Sequence, residues 1–430
     1  MRQAKRLQIM ILSLFMPQPL IASGSDTSSP DSSTSPQTLE DWQQLERRIN
    51  TLERKLSKNN KKLKIDGFIS ATYARSDDRS ITENWGGITE KNDFGALSNI
   101  GVQMSFSPNP RTSITAQFVA RGEEQWHMEA EWAYIAFKAS NQLTFRLGRQ
   151  KAPLYLLSEY IEVGYANPWI YAPDEVYGIT GDSTYNGINM LYKVPMGNWD
   201  TSLQAMWGSN AFSHPIVGDV SLDDLVSLSI TTRNEYITYR LGYTLITGNI
   251  PALDVPLPTI ANTPIVAGDT LSFLDLESDI TYLSAGAIFD NSQWLLMTEF
   301  AQLKVDSWFT DTSGAYLMIG YRVGKIMPHI TAAKMEVQDQ GARNIGTISS
   351  GNTIFIPPGE QVGTIADSFL VQNQSTYTLG LRYEILPAVS AKMELSHITN
   401  FNGSNGQFNA SQPPTGDSVN IVKFSIDSVF

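Results

Sequence analysis

Among the side chains that could carry chemistry, the scarcest are the most informative. Four histidines, His127, His214, His329 and His397, are scattered over 430 residues, and there is no cysteine. Thiol catalysis, disulfides, cysteine-bound metal or iron–sulfur centres and a lipid-anchored N-terminus are therefore excluded. None of the histidines lies in a motif that sets a nucleophile beside a general base. The Asp and Glu of residues 247–279 show no calcium-ligand spacing. No catalytic, cofactor-binding or metal-ligating set is expected. What remains is chemistry by charge. Acids gather in residues 149–184, at Glu159, Glu162, Asp174 and Glu175. Bases recur at alternate positions of short segments. Arg146, Arg240, Arg322 and Arg382 each stand two residues from a glycine (Gly148, Gly242, Gly320 and Gly380), which is expected to leave room for the long side chain. Arg149, Lys151, Lys392 and Lys423 complete the set.

The elements that must position these charges read as strands. From Ile65 onward the apolar period is two, in segments of strand length. Tyr377, Leu379, Leu381 and Tyr383 oppose Thr378, Gly380, Arg382 and Glu384, and Val389, Ala391, Met393 and Leu395 oppose Ser390, Lys392, Glu394 and Ser396. Sixteen such segments are predicted, near 65–75, 98–107, 111–121, 129–138, 142–148, 185–194, 200–208, 225–231, 235–246, 280–289, 293–304, 315–324, 329–337, 376–385, 388–398 and 419–430. Their connections alternate between short and long. The short ones include 108–110, 139–141, 195–199, 232–234, 290–292, 325–328 and 386–387. The long ones fall near 76–97, 149–184, 209–224, 247–279, 338–375 and 399–418. An up-and-down membrane barrel has this asymmetry, and a compact soluble domain rarely carries so many long loops. By parity Glu129, Glu131, Glu299, Glu336 and Glu394 also face inward.

Composition agrees. The chain is 42% hydrophobic and only 17% charged, with 17 Tyr, 18 Phe and 9 Trp. Beyond the N-terminus no stretch approaches the ~18 consecutive apolar residues of a spanning helix. In hydrocarbon an unpaired backbone group costs several kcal/mol, so strands with one apolar face imply closure into a barrel. At about sixteen strands the lumen is too wide for side chains to fill and stays wet. Tyr73, Trp132, Tyr134, Tyr192, Trp207, Tyr239, Tyr243, Trp294, Tyr321, Tyr377 and Tyr383 are expected to form interfacial girdles.

The N-terminal region divides into three. Residues 1–22 read as a secretory signal: Arg2, Lys5 and Arg6, then an apolar run from Leu7 to Ile21, then small residues at Ala22, Ser23 and Gly24. Its loss takes the net charge from −12 to −15, so nucleic acid is not an expected partner. Residues 23–38, rich in Ser, Thr, Pro and Asp, read as a flexible linker. In residues 39–63, Trp42, Leu45, Ile49, Leu52, Leu56, Asn59 and Leu63 follow an a/d seam, which predicts a short coiled coil assisting oligomerisation. The barrel would occupy 64–430. Its last strand, VNIVKFSIDSVF, places Phe424, Ile426 and the terminal Phe430 on one face. A final strand ending in Phe resembles the signal read by the outer-membrane barrel assembly machinery.

Taken together, the chain resembles the trimeric general and substrate-selective porins of the Gram-negative outer membrane, and within them the DcaP-like subgroup with an N-terminal periplasmic coiled coil. The resembling segments are KIDGFISATYA at 64–74, FRLGRQKAP at 145–153 and YLMIGYRVGKIMPHITAAKME at 316–336, echoed by YTLGLRYEILPAVSAKME at 377–394. The two copies differ by one residue before the Lys, which suggests a bulge in one of them. The resemblance implies a homotrimer in contact with outer-membrane lipid and lipopolysaccharide, passing small hydrophilic solutes without a cofactor. It also implies that the third external loop, here 149–184, folds into the barrel and narrows it. Glu159, Glu162, Asp174 and Glu175 would then line a constriction opposite Arg146, Arg149, Lys151, Arg240, Arg322, Arg382, Lys392 and Lys423. Acids facing bases across a narrow wet channel orient dipolar solutes and sort ions, here with a lean towards anions. The rival readings are an outer-membrane barrel enzyme, a tether in which the coil grips the cell wall and the barrel only anchors, and a secreted β-sandwich.

Overall fold

The computed structural model describes residues 63–78, 87–180, 183–214, 218–250, 253–256, 270–273, 276–306, 310–338, 346–350, 353–355, 371–408 and 416–430. The expected signal, linker and most of the coil, from Trp42 to Asn59, lie outside them. Leu63, expected as the last seam position, is instead the first residue of a strand, opposite Phe106.

The first nine strands are β1 (Leu63–Ser76), β2 (Asn99–Asn109), β3 (Thr112–Arg121), β4 (Met128–Lys138), β5 (Leu143–Lys151), β6 (Thr184–Met196), β7 (Trp199–His214), β8 (Gly218–Arg233) and β9 (Ile237–Ile250). After the short β10 (Leu253–Pro256) and β11 (Thr270–Phe273) come β12 (Leu276–Asp290), β13 (Trp294–Val305), β14 (Thr312–Tyr321) and β15 (Ile326–Val337). The short β16 (Gly346–Ser350) and β17 (Thr353–Phe355) precede β18 (Gln374–Leu386), β19 (Val389–Thr399) and β20 (Ser418–Val429). Sixteen of these close into one antiparallel barrel in chain order, while β10, β11, β16 and β17 pair as a separate four-stranded sheet built from two long connections. The seam runs from Phe68 opposite Val429 to Ser76 opposite Ile421. Phe430 extends it through two backbone hydrogen bonds with Gly67, of 2.8 and 2.9 Å. Closure leaves no edge strand unpaired, which is what hydrocarbon demands.

Each strand splits its residues as the alternation requires. In β13, Leu295, Met297, Glu299, Ala301, Leu303 and Val305 are buried inside, while Trp294 and Phe300 are exposed outside. The outward surface is apolar around the barrel, with Leu147, Leu228, Leu241, Ile330, Leu379 and Ile426 among its exposed residues. Of the C-terminal residues singled out, Phe424, Ile426 and Phe430 all lie on this surface. Outward tyrosines and tryptophans sit near both ends of the strands, for example Trp294 against Tyr321 at 4.6 Å and Trp199 stacked on Tyr239 at 6.3 Å near the short turns.

Six expectations need correction. The connection near 209–224 is mostly strand: β7 runs to His214 and β8 starts at Gly218, with shifts of register near Ser209 and Asp223 that mark bulges. The turn placed at 325–328 lies at 322–325, so Pro328 is inside β15, facing outward. That offset also reverses Glu336, which faces outward and pairs with Lys334, while Met335 is buried inside. Tyr134 is no girdle residue. It is buried inside with the Arg146 guanidinium 5.1 Å from its ring, and Trp132 lies against it. The inward glycines do not make room for arginines. A Cβ at Gly380 would strike the ring of His329, and one at Gly148 (φ +130°) would strike the backbone of Ala133 and Tyr134. The one-residue difference between the two similar hairpins comes from the turn rather than from a bulge before the Lys: Pro328 lies inside β15 whereas Pro387 lies between β18 and β19, and the irregularity of the second copy is in β18, between Glu384 and Leu386.

Candidate functional site

The connection between β5 and β6 does not extend away from the barrel. It turns into the lumen, and its sequence explains why. Leu154, Tyr155, Leu157, Trp169, Val176 and Tyr177 are too many apolar groups to leave in water, and all six are buried. Each is stabilised by roughly 1.5–3 kcal/mol on burial. Their counterpart is the inner face of β12–β15, where Tyr282, Met297, Leu303, Tyr316, Met318 and Met327 form one cluster with them. Tyr155 meets Tyr282 edge-on at 5.7 Å, and Trp169 meets Tyr316 edge-on at 5.3 Å. This quarter of the lumen is not wet.

A loop with little regular structure must find partners for its buried backbone groups, and wall side chains supply them. Glu299 of β13 accepts from the Leu156 N–H at 2.7 Å and from the Tyr177 hydroxyl at 2.6 Å. Glu394 of β19 accepts from the Ile170 N–H at 2.9 Å. Lys392 donates to the carbonyls of Gly164 and Trp169 at 2.6 and 2.7 Å, and Arg382 to that of Asn167 at 2.8 Å. Arg240 donates to the Pro153 carbonyl and Ser284 to that of Leu154, while the Trp169 indole donates to Thr331 at 2.8 Å. The single helical turn α1 (Asp174–Tyr177) packs so tightly on β14 that a Cβ at Gly314 would overlap the Glu175 carbonyl.

The four acids of the loop meet different fates. Glu175 is fully buried, accepting from Gln374 at 2.8 Å and from the Thr376 hydroxyl, and burial raises its carboxyl. Burial first, then the charges of Glu175 and Glu123, push Asp174 up to about 7. Burial would raise Glu162 too, but Lys151 and Arg121 outweigh it and hold that carboxyl down at about 2. Arg121 reaches Glu162 at 2.7 Å and also Glu131, and Lys151 lies 2.8 Å from Glu131. Glu159 remains half-exposed, 3.3 Å from Arg146.

The bases divide as well. Lys392 and Lys423 are buried beneath the loop, 3.0 Å from Asp427 and 2.9 Å from Glu394 respectively. Beside them His329 is 2% exposed, with its ring 4.0 Å from Glu394. Arg322 makes a two-pronged pair with Asp290, at 2.7 and 2.9 Å, and Arg382 pairs with Glu384 while lying over the Tyr165 ring. Arg149 donates to the Ala130 carbonyl at 2.6 Å, and Arg240 to Thr231 at 2.9 Å as well as to the loop. Arg121 is a site residue that the sequence does not single out, because its partners Glu131 and Glu162 lie on other segments. Thr331, Gln374 and Thr376 were missed because nothing local marks a strand residue that will meet a loop.

The docked loop leaves a space on either side of it. Towards the long connections lies a cavity of about 750 Å³, bordered by Arg121, Arg149, Lys151, Glu129, Glu131 and Glu162 among others. Towards the short turns lies one of about 420 Å³, bordered by Tyr160, Tyr165, Arg322, Lys325, Arg382 and Glu384 among others. Asn167 of the loop borders both.

No protein-family model and no curated protein matches the chain. Solved structures do. The trimer form of in-vitro folded OmpT, an outer membrane protein of Vibrio cholerae, superposes with a TM-score of 0.53 at 14% identity, over 86% of this chain and 99% of that one. The anion-selective porin from Comamonas acidovorans gives 0.52 at 13% identity, over 86% and 99%. The outer membrane channel DcaP of Acinetobacter baumannii gives 0.50 at 8% identity, over 86% and 97%. At such identities the likeness concerns the fold: the chain has the sixteen-stranded architecture of Gram-negative outer-membrane porins.

Proposed function

We propose that the protein is an outer-membrane channel through which small hydrophilic solutes and ions diffuse. The observation that carries this reading is a closed sixteen-stranded barrel, apolar outside, in which the inward loop between β5 and β6 leaves a charged cavity on each side of itself. A wall of this circumference exceeds what its own side chains fill. The loop between β5 and β6 narrows the channel, and the bases of the wall incline the neck towards anions. Arg149 and Arg240 favour that inclination, because the acceptors they bond are carbonyl and hydroxyl oxygens rather than carboxylates.

The assembled form is a homotrimer in the Gram-negative outer membrane. It contacts lipid and lipopolysaccharide, follows a secretory signal at 1–22, and is delivered by barrel assembly machinery reading Phe424, Ile426 and Phe430. A periplasmic coil in residues 39–62, shortened by Leu63, which belongs to β1, helps trimers assemble. The trimeric neighbour and the outward apolar surface support this arrangement. The test is planar-bilayer conductance of the mature, detergent-purified protein, with the reversal potential read in a salt gradient. Stepwise openings, grouped in threes, and an anion-selective potential are expected. Silence from protein shown to be folded and inserted would overturn the channel reading, and a cation-selective potential would overturn the anion preference alone.

A further inference from the structure

The charges inside the barrel are sorted along its axis. On the side of the long connections, Arg121 and Lys151 are occupied by Glu131 and Glu162. What is left around that cavity is Glu123, Glu124 and Glu129 against Arg149, with Glu124 reaching no closer to Arg121 than 3.3 Å. The excess there is negative. On the side of the short turns the order is reversed. Arg322, Lys325 and Arg382 border the smaller cavity against Asp290 and Glu384. Strand register reinforces the sorting. Arg240, bonded to carbonyl and hydroxyl oxygens, stands three residues from the turn end of β9, whereas Glu129 stands at the loop end of β4.

We propose that the channel is bipolar along its axis and therefore rectifies: it conducts more when the compartment on its long-loop side is positive than when that side is negative. The inference rests on the channel reading above. The physics is that of two ion-selective zones in series. With the loop side positive, cations enter through the acidic zone and anions through the basic one, so both accumulate between the zones. With the polarity reversed, each ion meets the zone that excludes it, and the middle is depleted. The effect needs screening to be longer than the cavity. A space of about 750 Å³ is only about 10 Å across, against a screening length of about 30 Å at 10 mM salt and about 3 Å at 1 M. The three net charges separating the zones are few, so the ratio of currents at opposite voltages should be modest.

The test is single-channel current in symmetric potassium chloride at pH 8, above the ordinary carboxylate range. Orientation is fixed by an Asn141→Cys substitution in the exposed β4–β5 turn. This supplies the chain's one thiol. Biotinylation there and capture by streptavidin before insertion keep that turn on the side of addition. At about 10 mM salt and about 100 mV, the current with the loop side positive should exceed the opposite current roughly 1.5- to 2-fold, and the ratio should fall to one in about 1 M salt. The double substitution E123Q/E129Q should bring the low-salt ratio close to one, with unchanged heat-modifiability on gels as the control for folding. Equal currents at low salt, or a larger current with the loop side negative, would overturn the proposal while leaving the channel intact. No current at any salt would instead sink the channel reading.

Discussion

Glu162 and Asp174 show how one loop can hold two acids under opposite rules. The Glu162 carboxyl is held at about 2 by Lys151 and Arg121, below its ordinary 4.5. It therefore favours the docked loop at every pH above 4.5, and that contribution is lost as pH falls from 4.5 through 2. The Asp174 carboxyl, pushed up to about 7 from 3.8 by burial and by its acidic neighbours, works the other way. Docking is undisturbed while it is protonated and is progressively penalised as pH rises from 3.8 through 7. Limited proteolysis of the loop should thus be slowest near pH 4–5, faster towards pH 8 and faster again below pH 3. Asp174→Asn should make the alkaline arm shallower, the raised Glu175 keeping the remainder, and Glu162→Gln should flatten the acid arm alone. A profile unchanged in both variants would show that neither charge controls docking. All four loop acids could be seen in the sequence as a group. Their separate fates could not, because Thr376, Gln374 and Lys151 reach them from strands whose mutual placement only the closed barrel defines.

At the scale of elements, the alternation located all sixteen barrel strands because each has one lipid-facing apolar row. It failed where that demand ceases. The ends of β7 and β8, SNAFSH and GDVSLDD, carry mixed polar residues, so they read as a loop although they are paired strand. It failed again at Pro328, which reads as a turn residue but sits on the outward face of β15, and the resulting one-residue error turned Glu336 inward. The apolar inner face of β12–β15 could not be anticipated from any one strand, since it exists for the loop that covers it. That cover hinges on Gly314. Gly314→Val puts a branched side chain where the Glu175 carbonyl lies, and overpacking of this kind costs about 1–3 kcal/mol. The expected outcome is an intact, heat-modifiable barrel whose single-channel conductance rises roughly 1.5-fold or more as α1 is displaced. Wild-type conductance in a folded variant would show that α1 does not bear on the opening.

At the scale of the whole molecule, the proposal gives the coil and the barrel separate tasks, assembly and conduction. The barrel closes on itself through β1 and β20, and of residues 39–63 only Leu63, at the head of β1, belongs to it. Deleting 39–63 should therefore lower the thermal stability of the oligomer, or slow its formation, while each pore still conducts. An inserted deletion variant that conducts nothing would contradict the accessory role of the coil. The membrane architecture was legible because hydrocarbon imposes its rule on every strand alike, whereas the depth and shape of the opening depend on pairings that skip over most of the chain.

Those skipped distances set a timetable. The loop's anchors lie far downstream: Glu299 is 143 residues after Leu156, Thr331 is 162 after Trp169, Thr376 is 201 after Glu175, and Lys392 is 228 after Gly164. A chain made from its N-terminus must carry the loop without any of these partners until β13, β15, β18 and β19 exist and have come round to face it. The loop can take up its final position only when those four strands have taken theirs. The calibre that these four contacts set is therefore fixed late, whereas charge pairs such as Lys151 with Glu162 and Arg146 with Glu159 need only neighbouring segments.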